Sequence, residues 1–488
     1  MKTKRRWRAP LLLLLFSLPL FFIGLQDTQS WGDDFAQYIK EGQNISQGLN
    51  YSASGFIYNP LNTEYAPPSY PPGFPMLLAP IIYFFGDSIS AMLTLISALM
   101  VLLAFVLFYF YRPFFSERSA MWLALLSVYA ASVLDLKWYV LSDLPLLFFS
   151  SLYLLLRRST YVGFLGSLLL ALLLAFSCLV RSQAILLVIA EALLFFGQLL
   201  GRKKEPSSSG QILCLFALIY SGLHFKILSG AEDGSRFYLD LFQNSAEHYW
   251  QLIKTNASYL FELLQSFFVF RTDNEGLYRF ELLIGTLLAL FFLVSLAMRL
   301  VKWRSLPTWY AFLLCLLILV LPVRQGLRYL LPLLPVFVLF TAQFTGLLVQ
   351  RMQLKVPPQM LPLLCYLYLL FLLPKIKDKP YDANWTPYTP KDKAVFHWLK
   401  THLDSSTIVV STKPRALHLF TGLPTTIPAW MKTPEENMAF YKKHQIRHFL
   451  VRTDLDWDMI ERYLRESGTK TDTLRITDSY TLFTAQKN

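Results

Sequence analysis

Trp31-Gly32-Asp33-Asp34-Phe35-Ala36-Gln37-Tyr38 follows closely on the apolar run Ala9–Leu25, and this junction decides the fold. An apolar helix there carries the chain across a membrane, and two adjacent carboxylates emerge at its far end. Carboxylates beside a membrane are costly unless they are hydrated, paired or used. Adjacent acids push each other's proton affinities apart, which suits general-base chemistry. Their other reading is as solvated acids at the start of the helix predicted over Phe35–Leu49.

Outward from this junction the chain stays apolar. Its 488 residues are 54% hydrophobic and 16% aromatic, too apolar for a water-soluble enzyme of this length. Ile89–Phe110, Val162–Cys178, Ala184–Leu200, Leu282–Leu300 and Leu327–Val349 reach or approach the ~20 residues that span a bilayer. The net charge of +13 does not point to nucleic acid. It sits in short loops, at Met1–Arg8, Arg112–Arg118, Arg157-Arg158, Arg202–Lys204, Arg299–Arg304 and Arg351–Lys355, where it sets orientation. These loops alternate correctly if eleven segments span, at about 9–25, 88–111, 118–134, 141–156, 161–178, 183–200, 211–228, 281–300, 307–323, 327–349 and 358–374. The N-terminus is then cytoplasmic and the tail lies outside a plasma or inner membrane. Gln26–Ser30 offers no small-x-small cleavage site, so the first helix reads as retained.

The expected fold is a polytopic α-helical membrane protein with a small C-terminal α/β domain on the extracytoplasmic side. Residues 1–374 form the transmembrane part, with external loops at about 26–74 and 229–280, and residues 375–488 form the soluble domain. The first loop ends in a Pro/Tyr-rich stretch, Tyr65–Gly73, followed by an interfacial segment, Phe74–Phe85. The second contains a surface-lying helix near Tyr259–Phe270. In the tail, helical patterns at Lys391–Leu403, Arg415–Thr421, Pro434–His444 and Trp457–Ser467 alternate with β-type runs at Thr407–Thr412, Thr425–Pro428, His448–Thr453, Thr473–Thr477 and Tyr480–Ala485. No Gly-rich nucleotide loop occurs. The four cysteines, Cys178, Cys214, Cys315 and Cys365, fall in or beside apolar runs and read as core residues.

A few charges break the positive-inside trend and become candidates for chemistry. Arg324 and Arg328 are four apart and would share a helix face. Guanidinium groups at the outer boundary suit a phosphate, against the alternative of snorkelling to headgroups. Arg181 and Lys137 join them as candidate phosphate-binding cations. Asp143 either caps the helix it precedes or joins Asp33 and Asp34 as a third acid. The three acids would offer hard oxygen ligands to a divalent ion, so a divalent metal stays open and none is assigned.

Taken in order on the outer side, four motifs resemble the GT-C class of glycosyltransferases, in particular bacterial relatives of protein O-mannosyltransferases and of the lipid A aminoarabinose transferase. They are the acidic stretch Trp31–Tyr38, the Pro-rich Tyr70-Pro71-Pro72-Gly73-Phe74-Pro75, the turn Leu179-Val180-Arg181-Ser182-Gln183 and the helix start Arg328-Tyr329-Leu330-Leu331-Pro332. Lys413-Pro414-Arg415-Ala416-Leu417 with Thr421-Gly422 is similar to a tail segment of that class. Two departures stand out: Ser182 replaces a proline, and the acidic pair is Asp-Asp where Asp-Glu is common. The base is therefore left open between Asp33 and Asp34.

The resemblance implies a sugar donor on a polyprenyl phosphate and an acceptor hydroxyl on a lipid, glycan or protein. One acid would deprotonate the hydroxyl. Arg328, Arg181, Arg324 and Lys137 would meet the departing phosphate, and Tyr38, Tyr70 and Tyr329 would line the pocket. A single displacement would invert the anomeric centre. A flippase for a lipid-linked sugar would instead place acids or broken helices at mid-span. An O-antigen ligase or polymerase would rely on a large late external loop, and a non-catalytic assembly protein would leave the acid pair dispensable.

Overall fold

The computed structural model describes residues 8–62, 67, 69–158, 163–200, 208–223, 246–269, 274–301, 305–355, 364, 367–368, 385–429, 432–453 and 460–486. The chain forms two units. Met1–Leu25, Ser90–Lys226 and Asn244–Pro380 make a helical unit, and Gln26–Ile89, Ile227–Gln243 and Tyr381–Asn488 make an α/β unit. The first external loop is thus grouped with the tail, where the sequence reading had kept it with the transmembrane part. The reason is hydrogen bonding. Ile57 N donates to Thr425 O at 2.7 Å and Thr425 N donates to Gly55 O at 3.0 Å. Asn59 and Asn62 donate to the carbonyls of Ile427 and Pro428.

In the helical unit, Ile89–Tyr111, Ser182–Leu200, Glu275–Leu300 and Leu331–Arg351 are long and apolar enough to cross a membrane. Shorter apolar helices include Arg8–Phe21, Asp143–Leu156, Phe164–Val180, Ser209–Leu223 and Leu306–Val320. The segment expected at 118–134 is broken into Glu117–Val128 and Ala131–Leu136. Between them Ala130 is extended, and Tyr129 turns out to donate its hydroxyl to Phe16 O at 2.8 Å. The segment expected at 358–374 lies outside the described residues except for Leu364, Leu367 and Tyr368. The surface helix of the second loop runs over Ala246–Gln265, earlier in the chain than its aromatic residues suggested. Cys178 and Cys315 are buried and Cys214 is exposed, all as free thiols, while Cys365 lies outside the described residues.

Apolar packing fills this unit; Phe292 stacks near Phe337 and Phe340, with centroids at 5.0 and 6.4 Å. A polar cluster is buried within it. Arg157 pairs with Glu191 at 2.9 Å, Tyr153 donates to Glu191 at 3.0 Å and Arg157 donates to Ser209 at 2.8 Å. Arg157, read from sequence as a loop charge, therefore points inward, as a buried cation must when a carboxylate is there to receive it; Arg158 stays exposed.

The α/β unit carries a five-stranded sheet in the order β2-β1-β3-β5-β4. Its strands are β1 Val409–Val410, β2 Thr425–Thr426, β3 His448–Arg452, β4 Thr471–Thr477 and β5 Tyr480–Ala485. β1 pairs in parallel with β2 and β3, while β3, β5 and β4 are antiparallel. Phe56 adds a parallel bridge to Thr425 at the β2 edge. The helices start where the sequence says they should. Pro390, Pro414 and Pro434 open three of them, since proline's missing donor is not needed in a first turn. Thr389 caps one, and Thr433 with Glu436 forms a capping box on another. Gly422, at φ 75°, closes the Pro414–Thr421 helix in a left-handed conformation that favours glycine. Val410, Met438, Phe440, Tyr441, Phe449, Val451 and Leu464 belong to the core beneath the sheet.

Candidate active site

The acid pair lies in the α/β unit, and its two members have opposite environments. The helix Asp33–Ser46 begins after Gly32, with both acids in its first turn. Asp33 is buried. Its oxygens accept from Ala416 N at 3.0 Å and Arg415 N at 3.2 Å, the first amides of the Pro414–Thr421 helix. An anion at a helix N-terminus meets unsatisfied donors and a favourable dipole, so Asp33 is a fastening between two segments remote in sequence. Asp34 keeps a 27% exposed side chain and lies 3.7 Å from the Arg415 guanidinium. The Tyr70 hydroxyl donates to it at 2.6 Å.

Tyr70 is in turn held on all sides. Arg415 Nη1 donates to its hydroxyl at 2.9 Å and Nη2 donates to Pro67 O at 2.6 Å. The guanidinium lies over the Phe56 and Tyr70 rings at 4.9 and 5.0 Å. Tyr38 stacks on Tyr70 at 4.6 Å and is itself buried, so it backs the Tyr70 ring. Burial pushes the Tyr70 phenol well above its usual range; Arg415 opposes this and the Asp34 charge adds to it. The phenol therefore stays protonated and serves as a donor to Asp34.

A second cluster lies in the helical unit. Asp143, in the first turn of Asp143–Leu156, is fully buried with two arginines on it. Arg328 approaches side-on, through Nε at 3.2 Å and Nη2 at 3.1 Å. Arg181 lies 3.3 Å away and also donates to Ser142 Oγ at 3.0 Å. Among the described residues two guanidinium groups converge on this one carboxylate, and Arg328 keeps a 25% exposed side chain. Tyr329 is held by Gln183, which donates to its carbonyl, while its ring lies 5.1 Å from the Arg181 guanidinium. Asp143 is thus placed to anchor arginines, not to meet an alcohol.

Two further candidates sit differently from expectation. Arg324 and Arg328 do not share a helix face. Gly326, at φ 69°, opens a 3-10 turn between them, and the α-helix begins only at Leu334. Arg324 is exposed and lies over the Tyr259 ring at 4.9 Å, and the Tyr259 hydroxyl accepts from Gly326 N at 2.8 Å. Lys137 is buried and donates to Ile23 O. It holds the end of the first helix, beside Gly24, whose φ of 71° turns the chain against Trp138.

The three acids suggested as metal ligands are already engaged: Asp33 by backbone amides, Asp143 by guanidinium groups, and Asp34 by Tyr70 and Arg415. Among the described residues no cluster of three His, Cys, Asp or Glu side chains forms a metal-binding set.

Two contributors escaped the sequence reading. Arg415 stood inside a quoted tail segment but carried no sign that it would reach Tyr70. Glu41 is fully buried, one helical turn beyond Gln37, which donates to it at 2.8 Å. The only available signal was spacing: 34, 37 or 38 and 41 fall along one helix face.

Neither a protein-family model nor a curated protein sequence matches the chain. Solved structures do. ArnT from Cupriavidus metallidurans, bound to undecaprenyl phosphate, is 10% identical with a TM-score of 0.58, covering 98% of each chain. The oligosaccharyltransferase AglB from Archaeoglobus fulgidus, in complex with an inhibitory peptide and a dolichol-phosphate, is 11% identical with a TM-score of 0.53, over 100% of this chain and 75% of that one. The arabinofuranosyltransferase AftD from Mycobacteria is 14% identical with a TM-score of 0.51, over 99% and 42%. The chain is a polytopic helical membrane protein with a small α/β unit and has the GT-C glycosyltransferase fold.

Proposed function

We propose that this protein is a membrane glycosyltransferase that moves a sugar from a polyprenyl-phosphate donor to an acceptor hydroxyl on the extracytoplasmic side, with inversion. The observation that carries the reading is the accessible Asp34 carboxylate, held by Tyr70 and Arg415 while Asp33 is consumed by a helix terminus. Asp34 is the base: the acceptor O–H gives it a proton as the oxygen attacks the anomeric carbon. The bond from that carbon to the phosphodiester oxygen breaks, and the phosphate leaves with an added negative charge. Arg328 meets that charge, and a well-aimed donor of this kind supplies about 3–4 kcal/mol. Arg181 and Asp143 orient it, and Tyr329 lines the same cluster. Lipid phosphates bound by ArnT and AglB support the donor class. The basic loops support a cytoplasmic N-terminus and an outer α/β unit in the plasma or inner membrane.

The test uses purified protein in lipid nanodiscs with a panel of polyprenyl-phosphate sugars, nucleotide sugars and simple acceptors. Transfer from the lipid-linked donors alone is expected. Transfer only from nucleotide sugars, or movement of the lipid-linked sugar between leaflets without bond cleavage, would overturn the reading.

A further inference from the structure

We propose that Glu41, in its neutral acid form, is the positioning residue of the Asp34 site: it holds the backbone of Tyr70 so that the phenol stays on Asp34. This rests on the reading of Asp34 as the base and deepens it. Glu41 Oε1 accepts from Tyr70 N at 2.9 Å and from Gln37 Nε2 at 2.8 Å. The relay to the base is therefore short: Glu41 holds the Tyr70 amide, and the Tyr70 hydroxyl holds Asp34 at 2.6 Å.

Glu41 is sealed from water. Gly42, beside it, lets the Gly73–Phe85 helix pack so closely that a Cβ there would lie 2.7 Å from Ile82 Cδ1. Glu41 Oε2 is buried with no hydrogen-bond partner among the described residues. An orphaned anionic oxygen in such a place costs far more than a neutral O–H.

The charges around it do not reverse this. The helix Gly73–Phe85 has no charged residue, and its one titratable side chain, Tyr83, is 71% exposed. The helix Pro414–Thr421 brings Arg415, committed to Tyr70, Pro67 and Asp34, and His418, whose burial favours its neutral form. Its own helix carries Asp33, Asp34, Tyr38 and Lys40, and the Pro-rich segment brings Tyr70. Burial dominates and pushes the Glu41 carboxyl up to about 8, against the hydrogen bonds from Tyr70 and Gln37 and the pull of Arg415. The neutral form holds below that pH. Above it the new anion keeps the Tyr70 amide but draws on Arg415 in competition with Asp34, which disturbs the partner of the base.

The experiment compares full-length wild type, Glu41→Gln and Glu41→Leu in nanodiscs. Difference infrared spectroscopy is expected to show a protonated carboxyl band at pH 7 in wild type that vanishes near pH 8 and is missing from Glu41→Gln. Hydrogen exchange at the Tyr70 amide stays protected in Glu41→Gln and is lost in Glu41→Leu. Transfer by Glu41→Gln matches wild type at pH 7 and does not fall above pH 8 as wild type does. Glu41→Leu lowers kcat about tenfold to a hundredfold, with donor KM unchanged, as expected for a misplaced base. The proposal is overturned if no carboxyl band distinguishes wild type from Glu41→Gln, or if the two share one alkaline profile. Should Glu41→Leu fail to fold, that band and that profile still decide. If no form transfers sugar, the functional reading fails, while the infrared band and the Tyr70 amide still test the link.

Discussion

Asp34 and Asp143 are the same residue type, each in the first turn of a helix, and their surroundings give them opposite uses. Asp34 is partly exposed and faces a phenol and one guanidinium. Asp143 is sealed beneath two guanidinium groups. The first arrangement leaves a carboxylate able to take a proton. The second brings two guanidinium groups together on one carboxylate, and guanidinium groups suit a phosphate. Sequence position at a helix start does not distinguish them; burial and the groups packed on each carboxylate do.

The sharpest way to break this contrast is Asp34→Asn. It removes the base while keeping an oxygen for Tyr70, and transfer should fall by about 10²–10⁴-fold with unchanged circular dichroism. Activity near wild type would put the base elsewhere. Next comes Arg328→Ala, expected to lower kcat by roughly 10²–10³-fold, with Arg328→Lys recovering part of the loss. Unchanged steady-state kinetics would make Arg328 a structural partner of Asp143 only.

Asp143→Asn tests the other half. Breaking a buried ion pair costs about 3–5 kcal/mol, so thermal unfolding in nanodiscs should shift downward clearly. A variant as stable as wild type would mean the arginines do not depend on that anchor. The smallest effect belongs to Asp33→Asn. Loss of a charge at a helix N-terminus costs about 0.3–2 kcal/mol. Transfer should persist within about tenfold, a range that a lost general base would exceed. A larger loss of kcat than in Asp34→Asn would exchange the roles of the two acids.

Much of the architecture was legible. The tail's alternation of helix and strand emerged nearly where its β-branched runs and prolines place it, because local capping and patterning agree with the sheet. The apolar helices were legible for the same reason, though the one expected at 118–134 is interrupted at Ala130. The chemistry was less legible. Separating Asp33 from Asp34 required knowing that Arg415 and Ala416 would present amides from a segment 382 and 383 residues away. The four-residue spacing of Arg324 and Arg328 suggested a shared face only while the segment was assumed helical, and Gly326 denies that. Nothing in the sequence neighbourhood of Lys137 announces that it is buried against the Ile23 carbonyl.

The bridge between Phe56 and Thr425 has a bearing on biosynthesis. Gly55, Ile57, Asn59 and Asn62 emerge from the ribosome long before Thr425–Pro428, their eventual neighbours, exist. That early stretch must wait unzipped while the intervening helices are inserted, and its backbone groups meet their mates only once Thr425–Pro428 have been made. An isolated 381–488 fragment would correspondingly leave the β2 flank open, and an open flank invites strand addition between molecules.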